Sequence, residues 1–153
     1  MDKIRALIIE DEAPARELIR FMLSDHPEIE VIGECGDGFC GAREIKEKHP
    51  DLIFLDIQMP KLTGFELLEV IDEKPEVIFT TAFDQYAIRA FELNAVDYLL
   101  KPFSKERFDD ALAKAVSRLE KETPGQDNID KLVNAASEAE GYLTRIVFRR
   151  GQA

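Results

Sequence analysis

In the stretch DLIFLDIQMPKLTGFELL (residues 51–68), four consecutive apolar residues, Leu52 to Leu55, run directly into an acid, Asp56. An apolar run without in-out alternation suits a strand buried on both faces, as in a parallel sheet. Similar β-branched or leucine-rich runs flank it at Ile4 to Ile9, Ile29 to Glu34, Val77 to Thr80 and Val96 to Leu100. Helix-period segments lie between them. Ala15, Leu18, Ile19 and Met22 fall at i, i+3, i+4 and i+7, with Pro14 near the helix start, where its missing N–H costs nothing. Phe108, Ala111, Leu112, Ala115, Val116 and Leu119 repeat that rhythm behind a Ser104 N-cap. Strict alternation of strand and helix predicts right-handed crossovers and a doubly wound open α/β sheet, with about 120 residues carrying five units.

The chain has 153 residues, a length for one domain with a short appendage. Its 31 acidic and 20 basic residues give a net charge of −11, which argues against nucleic-acid binding over most of the surface, because phosphates repel a negative face. No apolar run approaches the roughly 18 residues of a membrane span, and the opening MDKIRALIIEDE is no signal peptide, since its apolar stretch ends in acids. Cys35 and Cys40 are too few for a disulfide framework, so a reducing, cytoplasmic location is the expectation. Beyond Lys121 the pattern breaks. Thr123-Pro124-Gly125 reads as a helix stop and linker; Ile129, Leu132, Val133 and Ala136 suggest one short amphipathic helix; a strand-like YLTRIVF follows Gly141.

In an open parallel sheet, ligands bind at the carboxyl ends of the strands near the point where strand order reverses. The first strand ends in Glu10-Asp11-Glu12, the third in Asp56, the fourth in Thr80-Thr81 and the fifth in Lys101-Pro102. If strands one and three are neighbours, Glu10, Asp11 and Asp56 converge, and like charges held together need a cation or a shared proton. Mg²⁺, a hard cation that prefers oxygen ligands, is the natural occupant. Lys101 and the Thr81 hydroxyl complete a pocket for a tetrahedral anion on a carboxylate, with Asp56 as the nucleophile of an acyl phosphate.

With these features the chain resembles the receiver domain of two-component response regulators. LIIEDE (7–12), DLIFLDIQMPKLTGFELL, IFTTAF (78–83) and DYLLKPF (97–103) are similar to the family's four signature segments, in order, over roughly residues 3 to 121. The resemblance implies a flavodoxin-like (βα)5 fold with strand order 2-1-3-4-5 and helices on both faces. It makes Asp56 the phosphoacceptor and Glu10 and Asp11 the acidic pair for Mg²⁺, with the Gln58 backbone carbonyl as a further ligand. Thr81 becomes the switch hydroxyl, Lys101 the phosphate-binding lysine and Tyr98 the aromatic switch, and the Lys101-Pro102 bond is expected cis. The run TAFDQYAIRAFELNAVDYLLKPF (81–103) further resembles the LytTR-type (LytR/AlgR-like) branch, whose output is a DNA-binding domain. On that basis residues 1–121 are a receiver domain, 122–141 a linker, and 142–153 the start of a truncated output domain. The implied partners are a sensor histidine kinase and a second copy of the chain on phosphorylation, with DNA reached only through the mostly absent output domain and no membrane; the domain is a regulatory phosphoacceptor, not an enzyme. Two positions depart from the pattern: Glu10 stands where the family usually has Asp, and Asn94 where a Gly often ends the fourth helix, though Asn tolerates the left-handed conformation.

Other patterns compete. Gly36-Asp37-Gly38-Phe39-Cys40-Gly41 is a literal G-x-G-x-x-G with Asp56 20 residues beyond Gly36, which by pattern alone is a dinucleotide fingerprint. It follows the second strand, however, with an acid inside the loop that must approach a pyrophosphate, so it reads as a turn. A haloacid-type phosphohydrolase wants a second Asp where Gln58 stands. Neither the cysteines nor His26 and His49 show metal spacing. The contrasting functional class is a receiver-fold interaction module that works without phosphorylation.

Overall fold

A computed structural model describes residues 3–121. The expected linker helix and the strand-like YLTRIVF lie outside the described residues. Five parallel strands, β1 (Ile4–Ile9), β2 (Ile29–Cys35), β3 (Leu52–Asp56), β4 (Glu76–Thr81) and β5 (Asp97–Leu100), form one sheet in the order β2-β1-β3-β4-β5. Between and after them run α1 (Ala13–Leu23), α2 (Gly38–Lys48), α3 (Gly64–Val70), α4 (Ala87–Glu92) and α5 (Lys105–Glu120). This is the doubly wound, flavodoxin-like arrangement expected from the sequence. Strand order reverses between β1 and β3, which pair from Ala6↔Leu52 to Ile9↔Leu55, so their carboxyl ends open side by side.

Alternation along each strand sends its side chains to opposite faces. Leu7, Ile9, Ile53, Leu55, Val77 and Phe79 pack with Ile45 of α2, Leu67 of α3 and Ala90 of α4. On the other face Phe54 stacks on Phe108 of α5, with ring centroids 5.5 Å apart. All five residues of β3 are buried, the reason its sequence shows no polar alternation.

Helix ends follow local chemistry. Pro14 sits in the first turn of α1, and Ser104 Oγ accepts the Arg107 amide at 3.1 Å. Thr63 and Glu66 make a reciprocal capping box at the start of α3. Asn94 ends α4 with φ 63°, the left-handed conformation anticipated for it, and the Lys101-Pro102 peptide is cis. Asp97, at the start of β5, accepts two hydrogen bonds from Arg107 (2.6 and 2.8 Å) and one from Lys114 (3.1 Å). Burial alone would raise its pKa, but these cations and the Tyr98 amide outweigh burial and lower it.

The literal G-x-G-x-x-G is a packing device. A Cβ on Gly38 would lie 2.8 Å from Leu62, and one on Gly41 2.8 Å from Ile9. Gly64 is tighter still: a Cβ there would lie 2.6 Å from the Asp56 carbonyl oxygen, which is backbone and has little freedom to move. Gly64→Ala is therefore expected to cost about 3 kcal/mol and lower the melting temperature by about 10 °C, checked by thermal unfolding. An unchanged melting temperature would show that β3 and α3 can part without cost.

The cysteines depart from expectation. Cys35 and Cys40 are joined in a disulfide, with Cα atoms 5.6 Å apart. Spacing alone did not reveal this, because β2 ends at Cys35 and the turn into α2 folds Cys40 back beside it.

Candidate functional site

The ends of β1 and β3 bring Glu10, Asp11 and Asp56 together: one carboxylate oxygen from each lies within 4.8 Å of the others. Glu10 is fully buried and Asp56 only 3% exposed, so neither charge is relieved by water. Backbone geometry holds both in place. The Gln58 amide donates to Asp56 Oδ1 at 3.2 Å and the Glu12 amide to Glu10 Oε2 at 3.2 Å. The Glu10 amide in turn donates to the Cys35 carbonyl at 2.9 Å, and Arg16 Nη1 to the Glu10 carbonyl at 2.7 Å.

Lys101, carried by the end of β5, completes the cluster. Its Nζ lies 2.7 Å from Glu10 Oε1 and 3.7 Å from Asp56 Oδ2. The Glu10 carboxylate thus sits against the lysine ammonium. Burial pulls the Lys101 pKa down, yet Glu10 and Asp56 more than offset it and leave it raised. Asp56 is pushed up to about 8, by burial first and then by Glu10, with Lys101 only partly compensating. A site that resists carboxylate ionisation this strongly is short of positive charge. Three hard oxygen donors brought this close match a divalent cation such as Mg²⁺.

Thr81 lies one residue beyond Thr80, the register partner of Asp56, and its Oγ1 accepts the Phe83 amide at 3.2 Å. Tyr98 is half-buried, and its hydroxyl donates to the Phe83 carbonyl. Phe83 thus joins the two residues singled out as switches. Gln58, whose backbone carbonyl was the expected ligand, donates its side-chain amide to the Tyr86 hydroxyl. Tyr86 went unnoticed in the sequence. It stands in a cluster with Phe65 (5.8 Å) and Phe83 (6.4 Å), while Phe65 holds the Arg89 guanidinium 5.1 Å from its ring centre. Its only sequence signal is an aromatic at the turn after β4, too common to select it. Beside Lys101 an apolar cleft of about 390 Å³ is lined by Ala15, Leu18 and Ile19 on one side and Ala82, Pro102 and Phe103 on the other. No helix among the described residues is long and apolar enough to cross a membrane.

A family model described as response regulator receiver domain matches residues 6–113. The chain is 50% identical over 118 residues to an uncharacterized response regulatory protein of Vibrio cholerae serotype O1, covering 76% of this chain and 48% of that protein. It is 44% identical over 126 residues to the transcriptional regulatory protein BtsR of Escherichia coli (strain K12), covering 81% of this chain and 51% of BtsR. The chain therefore spans about half the length of the curated relatives it matches. Among solved structures, the response regulatory domain of mrkE from Klebsiella pneumoniae superposes with a TM-score of 0.72 at 33% identity, over 78% of this chain and all of that one.

Proposed function

Since the chain belongs to the response regulator receiver domain family, we propose that it is the phosphorylation-activated switch of a two-component system, with Asp56 as phosphoacceptor. Receiver domains are regulatory phosphoacceptors served by a histidine kinase. The observation that carries the proposal for this chain is the convergence of three carboxylates within 4.8 Å, with the Lys101 ammonium 2.7 Å from one and 3.7 Å from another.

In the proposed transfer, an Asp56 carboxylate oxygen attacks the phosphorus of a kinase phosphohistidine in line, the N–P bond breaks, and an acyl phosphate forms as the imidazole regains a proton. Glu10, Asp11, Asp56 and the Gln58 carbonyl would hold Mg²⁺, which would neutralise charge on the phosphoryl oxygens. Lys101 exchanges part of its hold on Glu10 for the incoming dianion. The apolar cleft beside Lys101 suits the approach of the phosphodonor chain.

The switch then runs through Phe83. When Thr81 turns its hydroxyl to the phosphoryl group it gives up the Phe83 amide, and the Tyr98 hydroxyl, bonded to the Phe83 carbonyl, loses its fixed partner. Tyr98 moves inward and repacks the surface of α4, β5 and α5, where Ile88, Phe91 and Leu100 are exposed. The proposed readout is homodimerisation, aligning two DNA-binding output domains of LytTR type. On this reading residues 122–141 are a linker and 142–153 begin the output domain, and the location is the cytoplasm. The basic RIVFRRGQ segment and relatives of about twice the length, one called a transcriptional regulatory protein, support that arrangement.

Incubation with Mg²⁺ and beryllofluoride tests the whole. Tight one-to-one binding that Asp56→Asn abolishes, with growth in oligomer size, is the expected result. No binding and no change in size would favour the phosphorylation-independent interaction module.

Phe83 also bears on lifetime. It lies two residues beyond Thr81, where a bulky apolar side chain can hinder the attacking water. Phe83→Ala is expected to speed dephosphorylation about threefold or more, followed by the decay of acetyl-phosphate-labelled protein. An unchanged decay rate removes Phe83 from that role.

A further inference from the structure

The Cys35–Cys40 bond lies between two supports of the acidic site. At one end, Cys35 is the last residue of β2, is 2% exposed, and its carbonyl accepts the Glu10 amide at 2.9 Å. At the other, Cys40 lies in the first turn of α2, its amide bonded to the Asp37 side chain at 2.8 Å. That same turn presses on the loop that follows Asp56, because Gly38 meets Leu62 with no room for a Cβ. Between the cysteines run Gly36, Asp37, Gly38 and Phe39, a glycine-containing turn with little stiffness of its own. The covalent bond therefore ties the strand end that seats Glu10 to the helix turn that backs the Asp56 loop.

We infer that Cys35 and Cys40 are a reversible oxidation site whose state sets how firmly Glu10 is seated, and so tunes Mg²⁺ and phosphoryl binding at Asp56. This rests on the phosphoacceptor function proposed above. Cys40, half-buried while Cys35 is 2% exposed, is the more accessible of the two. With hydrogen peroxide as oxidant, the Cys40 thiolate attacks one peroxide oxygen, the O–O bond breaks, and the departing hydroxide takes a proton to become water. The resulting Cys40 sulfenic acid is attacked by the Cys35 thiol; the S–S bond forms, the S–O bond breaks, and a second water leaves. Two thiols have lost two electrons and two protons, and one peroxide has become two waters. An external dithiol reverses this by attacking the Cys40 sulfur, itself ending as a disulfide. In the dithiol form the turn from Cys35 to Cys40 loses its covalent tie, and the Cys35 carbonyl that receives the Glu10 amide is no longer tethered to α2.

The test uses the full chain, reduced with a dithiol, freed of it, and divided into peroxide-treated and untreated portions. Intact mass and maleimide labelling count the thiols, and beryllofluoride binding is titrated against Mg²⁺ for each portion. The expected result is loss of both thiols within a single chain on oxidation, and an Mg²⁺ requirement roughly fivefold higher in the dithiol form. Cys40→Ser and Cys40→Ala should each bind like the dithiol form and ignore peroxide. Thiols that still label after peroxide, or a disulfide formed only between chains, would overturn the inference. So would oxidised and reduced protein binding with the same Mg²⁺ dependence. If neither portion binds beryllofluoride, the phosphoacceptor function falls and this coupling with it, an outcome the thiol count keeps distinct from failure of the disulfide chemistry.

Discussion

Asp56→Asn is expected to abolish phosphoryl and beryllofluoride uptake and, in the absence of metal, to make the protein more stable. The two effects share a cause. Asp56 has a folded-state pKa of about 8 against an ordinary 3.8, because burial and the neighbouring Glu10 oppose its charge. Well below pH 3.8 the carboxyl is protonated in both the folded and unfolded chain, so it costs the fold nothing. Between pH 4 and 8 the unfolded chain gives up the proton more readily than the folded one, and stability falls as pH rises until it levels off above about 8. An amide removes that penalty. In EDTA at pH 8 the substituted protein is expected to be about 2–3 kcal/mol more stable and to melt about 10 °C higher, with the difference nearly gone at pH 4. Saturating Mg²⁺ should narrow the gap, since only the wild-type site gains its full binding energy. Equal melting temperatures at pH 8 in EDTA would refute the claim that Asp56 is held against its charge.

Lys101→Ala is expected to act in the opposite direction. It strips the fully buried Glu10 of its 2.7 Å partner and Asp56 of its 3.7 Å one. Removing one side of a buried pair costs more than the pair contributes, because the remaining charge stays desolvated. The Lys101 pKa is raised in the fold, so its contribution is whole below the ordinary 10.5 and is lost only as pH climbs through the raised value. At pH 7 the full loss, about 3 kcal/mol or about 10 °C in melting temperature, should therefore be seen, together with beryllofluoride binding weaker by about tenfold. The effects of Lys101→Ala and Asp56→Asn are coupled, because the two groups share one cluster. In EDTA the double substitution should be more stable than the sum of the two single effects, because with Asn at position 56 the loss of Lys101 removes only its contact with Glu10. Simple additivity of the two would mean that Lys101 and Asp56 do not interact across the 3.7 Å gap.

Much of this site is legible in the sequence. Glu10, Asp11, Asp56, Thr81 and Lys101 each sit at a strand end, and the alternation of strand and helix sends every strand end to the same rim of the sheet. Pro14, Ser104 and Asn94 were readable for a similar reason: each answers a backbone demand confined to its own turn. Glu10 was harder. Its side chain sits on Lys101, a residue 91 positions away, and only the packed strand ends decide that distance.

Period, turn chemistry and strand ends are properties of neighbouring residues, so the amino-acid sequence by itself determined the doubly wound sheet, the order of its elements and the acids at its rim. Contacts between distant elements are not local. That Gly38 and Gly41 serve packing against Leu62 and Ile9, that Gln58 reaches Tyr86, and that Arg107 and Lys114 both neutralise Asp97 follow from how finished helices seat on a finished sheet. The cysteines show the division most clearly. Their sequence separation is only 5, yet whether they meet depends on where β2 stops and how α2 turns back beside it. Tertiary structure decided that pairing, because bond formation needs a distance and an orientation that no spacing in the sequence specifies.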